Sequence, residues 1–78
     1  MNCDLRLNKE LTGLKIKQHI QESGMTYNQI ADAIGLATPR VIYDWINGFK
    51  MPSLENLVKL ARSVETKLED ILVLEDVL

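Results

Sequence analysis

The chain has 78 residues, enough for one domain with a single core, and 46% hydrophobic with 26% charged residues places it among ordinary globular proteins rather than disordered or fibrous ones. Its one cysteine, Cys3, excludes an internal disulfide and a cysteine-based zinc site and suits a reducing cytoplasm. The net charge of −2 runs against nucleic-acid binding, where phosphate neutralisation by Lys and Arg supplies most non-specific affinity.

The charge is unevenly spread. Through Lys50 there are six basic residues (Arg6, Lys9, Lys15, Lys17, Arg40, Lys50) against five acidic ones (Asp4, Glu10, Glu22, Asp32, Asp44), a balance of +1. After Lys50 there are three basic (Lys59, Arg62, Lys67) against six acidic (Glu55, Glu65, Glu69, Asp70, Glu75, Asp76), a balance of −3. The sign of the whole chain therefore understates what one face can present, and a modest, salt-sensitive affinity is expected. No apolar run approaches the roughly 20 residues of a membrane helix, and no basic segment leads into an apolar stretch at the start. The expectation is a cytoplasmic protein with no membrane contact.

In chain order, Leu5 and Leu7 alternate with Asp4, Arg6 and Asn8, a pattern that fits a brief strand within an N-terminal arm, residues 1–11. Thr12 can N-cap a first helix over 13–23, whose Leu14, Ile16 and Ile20 lead to Gly24, a residue suited to the left-handed position that closes a helix. Thr26-Tyr27-Asn28-Gln29 has the form of a capping box and opens a second helix over 27–34, apolar at Ile30, Ala31 and Ile34 and stopped at Gly35. So short a helix depends on tertiary packing.

Thr38-Pro39 opens a third helix over 39–47. The threonine accepts from free amides, and proline at the first helical position loses no bond; Gly48 ends the helix, and Met51-Pro52 prevents an early restart. Ser53 caps a fourth helix over 54–64, in which Leu54, Leu57, Val58, Ala61 and Val64 recur at three- and four-residue spacing. Thr66-Lys67-Leu68-Glu69 has the form of another capping box and predicts a fifth helix over 67–72. The Val/Leu-rich tail, residues 73–78, fits a second brief strand, which would pair with the first within one chain or across a dimer.

At about 100° per residue, Ile42, Trp45 and Ile46 group on one side of the third helix and Arg40, Tyr43, Asp44 and Asn47 on the other. One face is core, so Trp45 is read as a packing residue, while the opposite face is free to enter a major groove about 12 Å wide. Arg40 can place its guanidinium fork on guanine O6 and N7. Tyr43 can meet a base, a thymine methyl or a phosphate; Asp44 can accept from cytosine N4 or disfavour wrong sequences from the edge. Pro39 joins these three as a base-reading candidate at the helix tip. Thr38, Asn47 and Lys50, with Tyr27 and Asn28 at the start of the second helix, are candidates for phosphate contacts. His19 has no second histidine or suitably spaced cysteine and is read as a partly buried helix residue rather than a metal ligand.

The stretch from Ile16 through Leu72 resembles the phage-repressor (Cro/repressor-like, or xenobiotic-response-element) helix-turn-helix family. The resemblance rests on Ser23-Gly24-Met25-Thr26, Gln29-Ile30-Ala31, Ile34-Gly35-Leu36, Thr38-Pro39, Ile42, Trp45, Asn47-Gly48, Pro52-Ser53-Leu54-Glu55-Asn56-Leu57, Lys59-Leu60-Ala61 and Leu68-Glu69-Asp70-Ile71-Leu72. It implies an all-α, compact five-helix, lambda-repressor-like DNA-binding domain over 12–72. It also implies a homodimeric transcriptional regulator, commonly a repressor, that reads a two-fold-related operator in double-stranded DNA.

Two departures stand out. Leu36-Ala37 occupies a place where most members have one residue, which lengthens the turn before the third helix. Ile20 and Ile46 replace an arginine and a glutamate that bridge in many members, and a paired exchange of that kind is tolerated where a single one strands a charge; Ile20 and Ile46 are therefore expected to touch.

A second reading is a protein-interaction module, such as an antitoxin or anti-repressor, that keeps the fold without strong DNA binding; the acidic balance favours it. An enzyme is not expected: there is no Walker loop, dinucleotide glycine pattern or catalytic triad set. No cofactor, metal or small-molecule effector is implied.

Overall fold

The computed structural model describes residues 5–76 of the chain, with the Asp76 side chain excluded. In order come β1 (Leu5–Leu7), α1 (Lys9–Ser23), α2 (Tyr27–Ile34), α3 (Arg40–Ile46), α4 (Leu54–Ser63), a single 3-10 turn (Leu68–Asp70) and β2 (Leu74–Asp76). Among the described residues there are thus four α-helices, and the fifth expected helix is reduced to the 3-10 turn. The Thr66 capping box does not form: Lys67 takes the cap position without a side-chain hydrogen bond, so nothing compensates the free amides of a longer helix.

The first helix also begins earlier than expected. Asn8, not Thr12, is its cap, and the Asn8 side chain accepts from the Leu11 amide at 2.9 Å. Thr12 is buried inside α1, where its hydroxyl accepts from the Val73 amide at 3.0 Å. The Asn8 amide donates to the Val73 carbonyl at 2.8 Å, so the chain entering α1 is fastened directly to the chain entering β2. The two strands pair antiparallel in one molecule, with Leu5 opposite Asp76, Arg6 opposite Glu75 and Leu7 opposite Leu74. A sheet so short is marginal by itself. Here it is held by the Asn8 and Val73 bonds and by Glu75, which accepts from Arg6 Nε at 2.7 Å and from Asn8 Nδ2 at 3.1 Å.

The capping box at Thr26 forms as the sequence predicts, with the Thr26 amide donating to Gln29 Oε1 at 2.9 Å and the Gln29 amide to Thr26 Oγ1 at 3.1 Å. Gly24 and Gly35 close α1 and α2 with φ of 75° and 89°, values that a side chain would penalise. The core joins Ile16 and Ile20 of α1, Ile30 and Ile34 of α2, Ile42 and Trp45 of α3, Leu57, Leu60 and Ala61 of α4, and Val64 and Ile71 beyond it. Ile46 is half-buried against this same cluster.

Helix α1 packs on α3 and α2 on α4. The α1–α3 approach is close enough that a Cβ added at Gly13 would collide with the carbonyl oxygens of Trp45 and Ile46. His19 is half-buried on α1, with Nε2 3.3 Å from the Asp70 carbonyl oxygen. Among the described residues no helix is long and apolar enough to cross a membrane.

Candidate nucleic-acid interface

Two short helices and the turn between them build the exposed site. The turn is tied to α2 by amides of Gly35 and Leu36 that both donate to the Ala31 carbonyl, at 2.9 and 2.8 Å, and Leu36 packs against the core. The turn is thereby anchored in the core through Leu36. Pro39 occupies the cap position of α3 and is half-buried; the helix proper is Arg40–Ile46, one residue shorter at each end than the sequence suggests, a difference within the fraying of helix ends. Thr38 Oγ1 accepts from the Arg40 amide at 3.3 Å and so supports the first turn.

The two faces of α3 separate as the periodicity requires. Ile42 is 0% and Trp45 2% exposed, so these two side chains anchor the helix from beneath, while Tyr43 is 45% exposed and Arg40 and Asn47 face water. Asp44 is half-buried, and its carboxylate lies 3.9 Å from Lys50 Nζ. At that distance and exposure the pair contributes little stability, yet it places a cation beside an acid that would otherwise repel a phosphate. The amides of Phe49 and Lys50 donate to the Asp44 carbonyl at 2.9 and 3.2 Å, folding the segment after α3 back on the helix end. Among the described residues Arg40 takes part in none of the ion pairs, which leaves its guanidinium available.

The start of α2 borders the same surface. Tyr27 is half-buried and Asn28 exposed. The Tyr27 ring meets the Tyr43 ring edge-on, with centroids 4.9 Å apart and planes inclined at 61°. Two candidates assigned separate roles from the sequence are thus in contact, as are Asp44 and Lys50. Phe49 was not singled out from the sequence, yet it is 71% exposed immediately after α3. The available signal was its place between the helix stop Gly48 and Lys50, a loop position where an aromatic ring has no helical face to join.

The helix-turn-helix family model matches residues 16–71, which takes in all four helices from Ile16 onward and the 3-10 turn. Among solved structures, the restriction-modification controller protein C.AhdI from Aeromonas hydrophila is similar with a TM-score of 0.70 and 20% identity, over 77% of this chain and 89% of that one. The clp gene regulator ClgR from C. glutamicum is similar with a TM-score of 0.74 and 21% identity, over 85% of this chain and 84% of that one. At such identities the likeness is one of fold. A search of curated proteins finds no match.

Proposed function

The chain belongs to the Cro/C1-type helix-turn-helix family, whose members are DNA-binding transcriptional regulators, and on that premise we propose that it reads a specific operator in duplex DNA with α3 in the major groove. The observation that carries this reading is the division of α3: Ile42 and Trp45 are buried beneath, while Arg40, Tyr43 and Asn47 stand outward and exposed.

Arg40 is the first base-reading residue, suited to guanine O6 and N7, with Tyr43, Asp44 and Pro39 beside it. Thr38, Asn28, Asn47 and Lys50, together with Tyr27, fix the docking register through phosphates. A homodimer would set two copies of α3 about 34 Å apart, one helical turn, on a two-fold-related site, and occupation of such a site would act as repression in the cytoplasm.

The rival reading, a protein-interaction module of the antitoxin or anti-repressor kind, is favoured by the net charge of −2. A titration against mixed duplex DNA at 50 and 200 mM salt separates the two, since phosphate contacts make affinity fall steeply with salt. Binding at the lower salt that weakens at the higher supports DNA reading. No binding at the lower salt overturns it and leaves the partner-binding module.

A further inference from the structure

The contact between Tyr27 and Tyr43 joins a residue with a fixed backbone to one on the reading face. Tyr27 is the first residue of α2, directly after the Thr26 cap, and the reciprocal Thr26–Gln29 bonds immobilise its backbone. Its ring is half-buried and packs against the core cluster, so it has little freedom to swing out. Tyr43 sits on the outward face of α3, one turn after Arg40, and nearly half of it is in water. A side chain exposed to that degree would sample several rotamers, and a ring that does so contacts DNA without choosing between bases. The edge-on geometry, with centroids at 4.9 Å and an angle of 61°, is the favoured arrangement of two aromatic quadrupoles and selects one orientation.

We infer that Tyr27 is a positioning residue for base reading: the Tyr27 ring, gripped between the capped start of α2 and the core, holds the Tyr43 ring in the one orientation that discriminates a base pair. The inference rests on the reading of α3 as the DNA-contacting helix. It differs from a phosphate contact by Tyr27, because a phosphate contact changes affinity for all sequences alike and uses the phenol hydroxyl. Positioning uses the ring and changes preference at one base pair.

The test is selection from a random duplex library, followed by competition binding, with the full chain and its Tyr27→Phe, Tyr27→Leu, Tyr43→Leu and Tyr27→Leu/Tyr43→Leu variants. Tyr27→Phe, which removes the hydroxyl offered to a phosphate and keeps the ring, is expected to keep the wild-type base preference while lowering affinity for all sequences alike. Tyr27→Leu is expected to lose roughly 3- to 10-fold in discrimination at the same base pair that Tyr43→Leu affects, with the salt dependence of binding unchanged, and to add nothing there in the double variant. Thermal melting checks each fold, and Tyr27→Gln, another helix former without a ring, repeats the test if the leucine variant melts early. An unchanged base preference in Tyr27→Leu, whether or not affinity falls for all sequences alike, overturns the inference while leaving duplex reading intact. Failure of the wild-type chain to bind any duplex overturns both.

Discussion

The Tyr27 ring stands edge-on to the Tyr43 ring, 4.9 Å between centroids, and so links the capped start of α2 to the outward face of α3 across a turn that carries Leu36-Ala37. A longer turn would by itself leave the angle between the helices loosely set. The aromatic contact on one side and the Leu36 anchor in the core on the other remove that freedom. The outward surface of α3 is therefore fixed by packing as well as by the turn's backbone.

Arg40→Ala is expected to relax preference at one base position and weaken specific binding by roughly 1–3 kcal/mol. The side chain is exposed and in none of the ion pairs among the described residues, so the melting temperature should not move. Selection with the variant checks this; an unchanged base preference removes Arg40 from the reading role.

Gly13→Ala places a methyl group against the Trp45 and Ile46 carbonyls, and backbone cannot yield as a flexible side chain can. Overpacking of this kind costs roughly 1–3 kcal/mol, and it displaces the base of α3. Denaturant melts should show the loss, together with weaker duplex binding. Wild-type stability in the variant would mean that α1 and α3 sit farther apart.

Ile20 is buried and Ile46 half-buried against the same cluster, so the expected contact can be read as an energy. Ile20→Arg alone strands a charge and should cost about 3–5 kcal/mol, whereas adding Ile46→Glu should restore at least about 1 kcal/mol of it. Strictly additive losses in the four-variant cycle would show that the two side chains do not touch.

Glu65 closes α4 with φ of 55°, and the Thr66 amide donates back to the Ala61 carbonyl at 2.9 Å. A left-handed residue with a Cβ costs about 1 kcal/mol relative to glycine, so Glu65→Gly should raise the melting temperature by a few degrees. An unchanged or lower melting temperature would contradict this.

The hydrogen bond from Arg6, followed by that from Asn8, holds the Glu75 carboxyl below its ordinary pKa. A group depressed in the folded state contributes stability above its unfolded pKa and loses it as the pH falls through the folded one. Amide-exchange protection of the β1–β2 pair should therefore fade as the pH drops below the ordinary carboxylate range, and Glu75→Gln should flatten that dependence. Acid-insensitive protection in the parent chain would contradict the role of the Arg6–Glu75 pair.

How far the sequence carried differs from residue to residue for physical reasons. Thr26, Gly24 and Gly35 announced α2 and its neighbours, because a reciprocal capping box and a left-handed glycine act within a few residues of backbone. The inward and outward faces of α3 followed from periodicity alone. Thr12 and Thr66 misled because the same residue type that caps a helix can satisfy a distant amide or stay uncapped, and only the fold supplies the choice: Thr12 serves Val73, 61 positions away in sequence. The end of α4 was legible to within one residue, 54–64 against Leu54–Ser63, although Glu65 and not a glycine takes the left-handed position after it. The Tyr27–Tyr43 and Asp44–Lys50 contacts join residues whose separation in sequence matches no local period, so they needed the packed helices to become visible.

The central claim, that the outward face of α3 reads duplex DNA, is tested most directly by following backbone amide resonances of the chain as its selected duplex is added. The account predicts shifts concentrated at Tyr27, Asn28 and Thr38 through Lys50, with the buried stretch of α4 around Leu60 left in place. Shifts confined to another surface, such as the β1–β2 pair and the exposed side of α1, would contradict it.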